Sequence, residues 1–457
     1  MAGTGEAPGP TGDRVVDERA GTTDGWPAAR SGPLPIGLVV LASVTVVEIV
    51  RQGAFYPADA FAVAVVSLVL IVSSLVVGVD RRALGVVVAV GACAAWWMVS
   101  AERHSEPKSF LPLGASMLGF LAAFLVVRRL GLPVRQFAAV LLATIGAGAA
   151  AIGLAASLGR RFPLAMPAQD LWRLSTTLTY ADAAGLLLGM ALLVGLALDP
   201  GRWYLRADVA LCAAGLVATQ SRGAVLAAVV GLLFVPWSAT RAWTRPLLAG
   251  LAAGLVVVGT SSGPATQPWA AAAVGVVLLG GVVRLPIRLP RLTPRRALVT
   301  VGCAVVAVVV VVAALHTPIE RRIELNSTGD RMTEWTAAAD QWRSAPWLGV
   351  GPDALLRFHA VDGTFAHFAH NEYLQVLADA GAVGALLLLA SAGTVVAAVR
   401  REDVLTSCAT GALVAFAVAG ALDFDWHLAA LGVVGGWVTG LAGRPRPDPG
   451  ERASTPD

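Results

Sequence analysis

The sequence predicts an all-α polytopic integral membrane protein, with about 12–14 transmembrane helices and one large extracytoplasmic helical loop. Three observations carry this. Of 457 residues, 56% are hydrophobic and 14% charged, against about 25% charged in a soluble domain. The apolar residues fall in long charge-free runs such as 61–79 and 297–315, and runs of about 18 or more read as membrane-crossing helices. The arginines gather in the short loops between those runs, every second loop being rich in them.

Taken in order, residues 1–33 are rich in Gly, Pro, Thr and charge and lack the apolar core of a signal peptide, which predicts a disordered cytoplasmic tail. Spans follow near 34–50, 61–79, 83–100, 110–127, 137–158, 178–198, 207–220, 223–237, 246–260, 268–283 and 297–315, and after a polar segment near 382–399, 404–422 and 427–442. With the N-terminus inside, Arg81 and Arg82, Arg128, Arg129 and Arg135, Arg202 and Arg206, Arg241 and Arg245, the five arginines of 284–296, and Arg400 and Arg401 all fall on the cytoplasmic side. That is the bias that sets membrane orientation. It places both termini in the cytoplasm, with 443–457 a second disordered tail. A single helix over 207–237 would be roughly 46 Å long at about 1.5 Å per residue. It would also send the 284–296 arginines outside, so two short spans with a reversal at Ser221-Arg222-Gly223 are preferred. The long polar segment 316–373 then lies outside as a cap of short helices. Residues 332–343 have helical spacing, and the turn-rich 344–352 (SAPWLGVGP) ends that helix.

Several function classes are excluded by pattern. No basic patch interleaves with aromatics, so nucleic acid is not a partner. Cys93, Cys212, Cys303 and Cys408 sit in apolar runs and read as packing residues, without disulfide or metal spacing. Gly349-Val350-Gly351 follows no strand and opens no helix, so it is a turn and not a nucleotide loop.

The candidates for chemistry converge on the outer side: Arg173, Tyr180 and Asp182 before the sixth span, Arg222 at the tight turn, Arg331, His359, His367, His370 and Asn371 in the cap, and Asp423, Asp425 and His427 in the last outer turn. A cation between two apolar runs costs roughly 2.5–3.5 kcal/mol at mid-membrane, so Arg222 calls for a function or a partner; the alternative is an interfacial arginine among lipid headgroups. Two or three guanidiniums make a diphosphate clamp, since their forks match phosphate oxygens. A histidine on the first turn of a helix entering the membrane, as His370 is, suits general-base work because its reference pKa lies near neutrality; the alternative is a capping or packing role. Asp423 and Asp425 form an acidic pair of the kind that holds a divalent cation. His359, His367 and His370 form a loose set that matches no standard zinc spacing, so no metal is assigned.

The cap and its exit, Gly329-Asp330-Arg331, Trp335, Pro346-Trp347-Leu348-Gly349-Val350-Gly351-Pro352 and His370-Asn371-Glu372-Tyr373-Leu374-Gln375, resemble the O-antigen ligase and polymerase superfamily. So do Arg173-Leu174-Ser175 with Tyr180-Ala181-Asp182, and the turn Ser221-Arg222-Gly223. The resemblance spans roughly 170–430. It implies a GT-C-like, metal-independent, inverting glycosyltransferase without cofactor in the cytoplasmic membrane. Such an enzyme moves a glycan from a polyprenyl diphosphate-linked donor to a glycan or lipid acceptor. His370 stands at the family's histidine, and Arg222 and Arg331 at its phosphate-binding arginines. Asp182 replaces the usual Asn. Rival expectations are a polysaccharide polymerase, transfer to protein side chains, a metal-dependent variant using Asp423 and Asp425, and, from another class, a transporter or flippase. Transporters place ionisable groups on several helices in repeated halves; here most span interiors are bare, Glu48 excepted, and no repeat is evident.

Overall fold

The computed structural model describes residues 35–104, 107–168, 171–262, 265–283, 328–352, 358–359, 365–366 and 368–443. The tails expected at 1–33 and beyond 443, and the span expected at 297–315, lie outside the described residues.

The chain is an all-α membrane protein. Its helices are α1 (Ile36–Val50), α2 (Pro57–Val77), α3 (Arg81–Arg103), α4 (Leu111–Arg128), α5 (Leu132–Leu158), α6 (Ala181–Gly195), α7 (Trp203–Ala218), α8 (Arg222–Leu232), α9 (Trp237–Ala242), α10 (Thr244–Gly259), α11 (Pro268–Val282), α12 (Thr328–Ser344), α13 (Glu372–Ala398), α14 (Val404–Gly420) and α15 (Ala429–Ala442). A helix coincides with every expected span outside 297–315. Pro57–Val77, Arg81–Arg103, Lys108–Arg128, Leu132–Leu158 and Glu372–Ala398 are long and apolar enough to cross a membrane. Helices α1, α6, α8, α10, α11, α14 and α15 are apolar but shorter. Two short antiparallel strand pairs and four 3-10 turns are also present among the described residues. Strands β1 (Ala165–Ala168) and β2 (Leu171–Leu174) pair antiparallel with Met166 opposite Arg173. Strands β3 (Phe358–His359) and β4 (Phe365–Ala366) pair antiparallel as well.

The helix starts are written locally. Proline opens α2, α4, α5 and α11, where its missing N–H costs nothing. Asp80, Ser221, Asn371 and Asp403 cap α3, α8, α13 and α14 by accepting backbone N–H bonds. The preferred two-helix reading of 207–237 matches α7 and α8, with the turn at Thr219-Gln220 and Gln220 in the left-handed region at φ 55°. The reversal thus falls two residues earlier than expected, because Ser221 is the cap of α8.

Helix α15 is the centre of the bundle, buried along its whole length. It packs on α4, and also touches α14, α6 and α1. Glycines four apart make the approach to α4 possible: a Cβ at Gly432 would overlap Ser116, one at Gly436 the Phe120 carbonyl, and one at Gly440 Val127. Without a hydrophobic drive between helices in lipid, such small-residue seams let backbones meet and supply van der Waals contact. The same device joins α10 to α7 through Gly250 and Gly254.

At one end of the bundle, arginines bind helix carbonyls. Arg128 bridges Asp80 (2.7 Å) and the Ala398 carbonyl, while the buried Arg135 donates to the carbonyls of Leu441 and Gly443. Cations at helix C-termini complement the helix dipole. At the other end α13 is broken. Gly381 has φ 66° and ψ −168°, and the turn after α12 docks into the break: Ala382 N donates to Pro346 O, Val350 N to Ala378 O and Gly351 N to Asp379 O. A side chain at Gly381 would overlap the Trp347 carbonyl. The break sets the first turns of α13, with Asn371 and Glu372, against the final inter-helix turn.

Candidate functional site

The site is assembled where α6, α8, α12 and α13 begin or end beside the turn between α14 and α15. Arg173, on β2, reaches across to the end of α7. Its Nε donates to the Thr219 carbonyl at 3.0 Å and its terminal nitrogen to Asp182 at 3.1 Å on the first turn of α6. Tyr180, immediately before α6, donates to Asp423 at 2.8 Å. Asp423 also accepts from the Phe424 N–H and stands 3.6 Å from the Arg331 guanidinium. Arg331, near the start of α12, donates to the Leu422 carbonyl at 2.8 Å. These residues surround a cavity of about 20 Å³ lined by Asp182, Ser221, Arg331, Leu422, Asp423 and Asp425, room for one water molecule.

His370 stands beside this cluster. Its Nδ1 lies 2.7 Å from Glu334 on α12, and its ring meets Phe424 edge-on at 5.2 Å. Its backbone is left-handed at φ 44°, uncommon for a residue with a Cβ and a mark of local constraint. Asn371 supplies the constraint. Its side chain caps α13 through Leu374 N and donates to the Ala421 carbonyl at 3.0 Å. Beneath lies a second histidine–carboxylate contact, His427 with Glu372 at 3.1 Å; Glu372 also accepts from Trp426 N.

The fields differ sharply between groups. Burial raises the Asp423 carboxyl to about 6, with the Asp182 charge adding to it and His370 opposing. Burial, then the neighbouring carboxylates, hold Asp425 well above the ordinary carboxylate value. One Asp425 oxygen has no hydrogen-bond partner among the described residues, which suits a neutral acid. For His370, burial works against the charged ring, but the Glu334 hydrogen bond and the Asp423 and Glu334 charges outweigh it, leaving it above the ordinary histidine value.

The structure therefore brings Arg173, Tyr180, Asp182, Arg331, His370 and Asn371 to one end of the bundle. Arg222 is at the same end, on the first turn of α8, exposed and with no ion pair among the described residues. Sequence reasoning weighed Asp423 as a cation ligand; here it serves Arg331 and Tyr180. It missed Glu334, which sits among the polar residues of α12 with no apolar run to make it conspicuous. His367 and the side chain of His359 lie outside the described residues. Among the described residues no three His, Cys, Asp or Glu groups are set to hold a metal ion. Cys93, Cys212 and Cys408 are buried free thiols.

A polytopic helical bundle with cations, carboxylates and a histidine drawn to one end defines an integral membrane protein with a polar site at that end. Residues 266–389 match the family model described as O-antigen ligase. Over these residues the chain is similar to that family. The match includes Arg331, Glu334, His370 and Asn371; Arg173, Tyr180, Asp182, Arg222 and Asp423 lie outside it. No curated protein matches the chain.

Proposed function

We propose that this protein is a membrane glycosyltransferase that moves a glycan from a polyprenyl diphosphate carrier to an acceptor hydroxyl at the extracytoplasmic face of the cytoplasmic membrane. The observation that carries the reading is the His370 ring. Nδ1 is held by Glu334, and Nε2 has no hydrogen-bond partner among the described residues. Arg331 lies on the same short helix, and both share the field of Asp423. A carboxylate only accepts, so Nδ1 carries the hydrogen and Nε2 is the basic atom. The acceptor hydroxyl gives its proton to Nε2 while its oxygen bonds the anomeric carbon. The bond from that carbon to the diphosphate oxygen breaks, and the diphosphate leaves with the electron pair. Arg331, Arg222 and Arg173 are the cations at hand for that charge, which fixed donors stabilise more in the transition state than in the bound donor. The cavity of about 20 Å³ is too small for a diphosphate, so donor binding must part Arg331 from Asp423.

Replacing His370 with Ala or Gln tests the base. Glycan transfer in isolated membranes should fall by roughly 10²–10⁴-fold, the usual share of a general base. Retained turnover would exclude the assignment.

A further inference from the structure

We propose that Glu334 is a positioning residue for the transfer reaction: it accepts the Nδ1–H of His370, fixes the tautomer that leaves Nε2 bare, and so ties the base to the helix that carries Arg331. This rests on the reading of His370 given above. The geometry is specific. Glu334 lies 2.7 Å from Nδ1 and is 5% exposed. It stands three residues after Arg331 on α12, so the two share one helix face. No other hydrogen bond to the Glu334 side chain is present among the described residues. A buried carboxylate that lost His370 would be left unpaired, at a cost of several kcal/mol in such surroundings. The histidine is equally dependent, since its left-handed backbone holds the ring in one place and Phe424 closes one side.

A plain anchoring role, in which Glu334 only docks α12, uses the same contact, and the two differ in their response to pH. The charged groups facing His370 are Glu334 and Arg331 from α12 and Asp423 from the turn after α14. Glu372, on its own helix, turns to His427. Of these, Glu334 makes the only hydrogen bond to the ring. The base works when neutral, so transfer rises with pH through the His370 transition, and the negative charge of Glu334 holds that transition high.

The test uses Glu334→Gln and Glu334→Asp in the full-length protein. Two quantities are measured: transfer against pH in membranes, and carbethoxylation of His370 by diethyl pyrocarbonate against pH, followed by mass spectrometry. Glu334→Gln should move both midpoints to lower pH and lower the plateau rate at least roughly tenfold, in the direction seen when the Asp that orients a catalytic histidine is amidated. Glu334→Asp should keep the midpoints raised. In the unaltered protein the labelling midpoint should lie above about 6.5. Transfer lost at every pH with unmoved midpoints, or an unaltered-protein midpoint at or below that value, overturns the proposal. The two readings separate cleanly. If His370→Ala retains turnover, the base assignment falls whatever the labelling shows; if His370→Ala is inactive and the midpoints stay fixed, only the role of Glu334 falls.

Discussion

At the scale of single residues, two of the site's three cations arrive with their own carboxylate. Arg173 holds Asp182 and Arg331 approaches Asp423, while Arg222 is exposed without an ion pair among the described residues. The pairing makes the site responsive to pH. Asp423 titrates near 6 because burial and Asp182 disfavour its charge. Below that pH it is neutral and Arg331 is freer to take a phosphate; above it, the carboxylate competes. The apparent KM for the lipid-linked donor should therefore rise as pH increases through about 6, and Asp423→Asn should flatten the rise. A KM that climbs equally in the variant would exclude this competition. Arg331→Lys keeps the charge but loses the planar fork. Hydrogen bonds to charged groups contribute roughly 1.5–3 kcal/mol, so the variant should weaken donor use by about ten- to a hundredfold, read as kcat/KM. Most of these residues were legible in the sequence, because a polar side chain at the edge of an apolar run is costly and so conspicuous. Glu334 and Glu372 were not: among other polar residues, nothing local marks which carboxylate meets a histidine.

At the scale of elements, the helices were legible and their partners were not. Length and apolarity fixed where spans fall, and proline or Asp, Ser and Asn caps fixed where several begin. Helices apolar all round carry little directional pattern, so the burial of α15 against α4 cannot be read from periodicity. Its one local trace is the series Gly432, Gly436 and Gly440. Substituting Gly436 with Leu should separate α15 from α4 and lower the thermal unfolding midpoint in detergent by several degrees, as overpacking costs typically 1–3 kcal/mol. An unchanged midpoint would mean that the seam is slack. The break in α13 was half visible: a span was expected from 382, but the left-handed φ of 66° at Gly381, and the turn from α12 docked into it, depend on residues some thirty positions earlier.

At the scale of the whole molecule, the proposed chemistry requires that the His370 end face away from the cytosol. Arginine placement predicts this orientation, and the end carrying Arg128 and Arg135 is then cytoplasmic. In a background with Cys93, Cys212, Cys303 and Cys408 replaced, Arg222→Cys should react with a membrane-impermeant maleimide in intact cells, and Arg291→Cys only after lysis. The reverse pattern would remove the outside from the proposed function. The architecture also accounts for what was hard to foresee. A span such as α8, 11 residues long, is too short to cross a bilayer unaided, and its place comes from packing on α6 and α14, contacts that no local window contains.

The position of α15 bears on how the protein is made. Arg135 bonds carbonyls 306 and 308 residues further along the chain. At synthesis rates of about 5–20 residues per second, α4 and α5 wait in the bilayer for roughly 15–60 s before the helix that completes them leaves the ribosome. During that wait the α4 surface destined for Gly432, Gly436 and Gly440 faces lipid or an insertion factor. Assembly is therefore a closing step from the far end of the chain, and a product that stops short of α15 is an unfinished bundle and a target for membrane proteases.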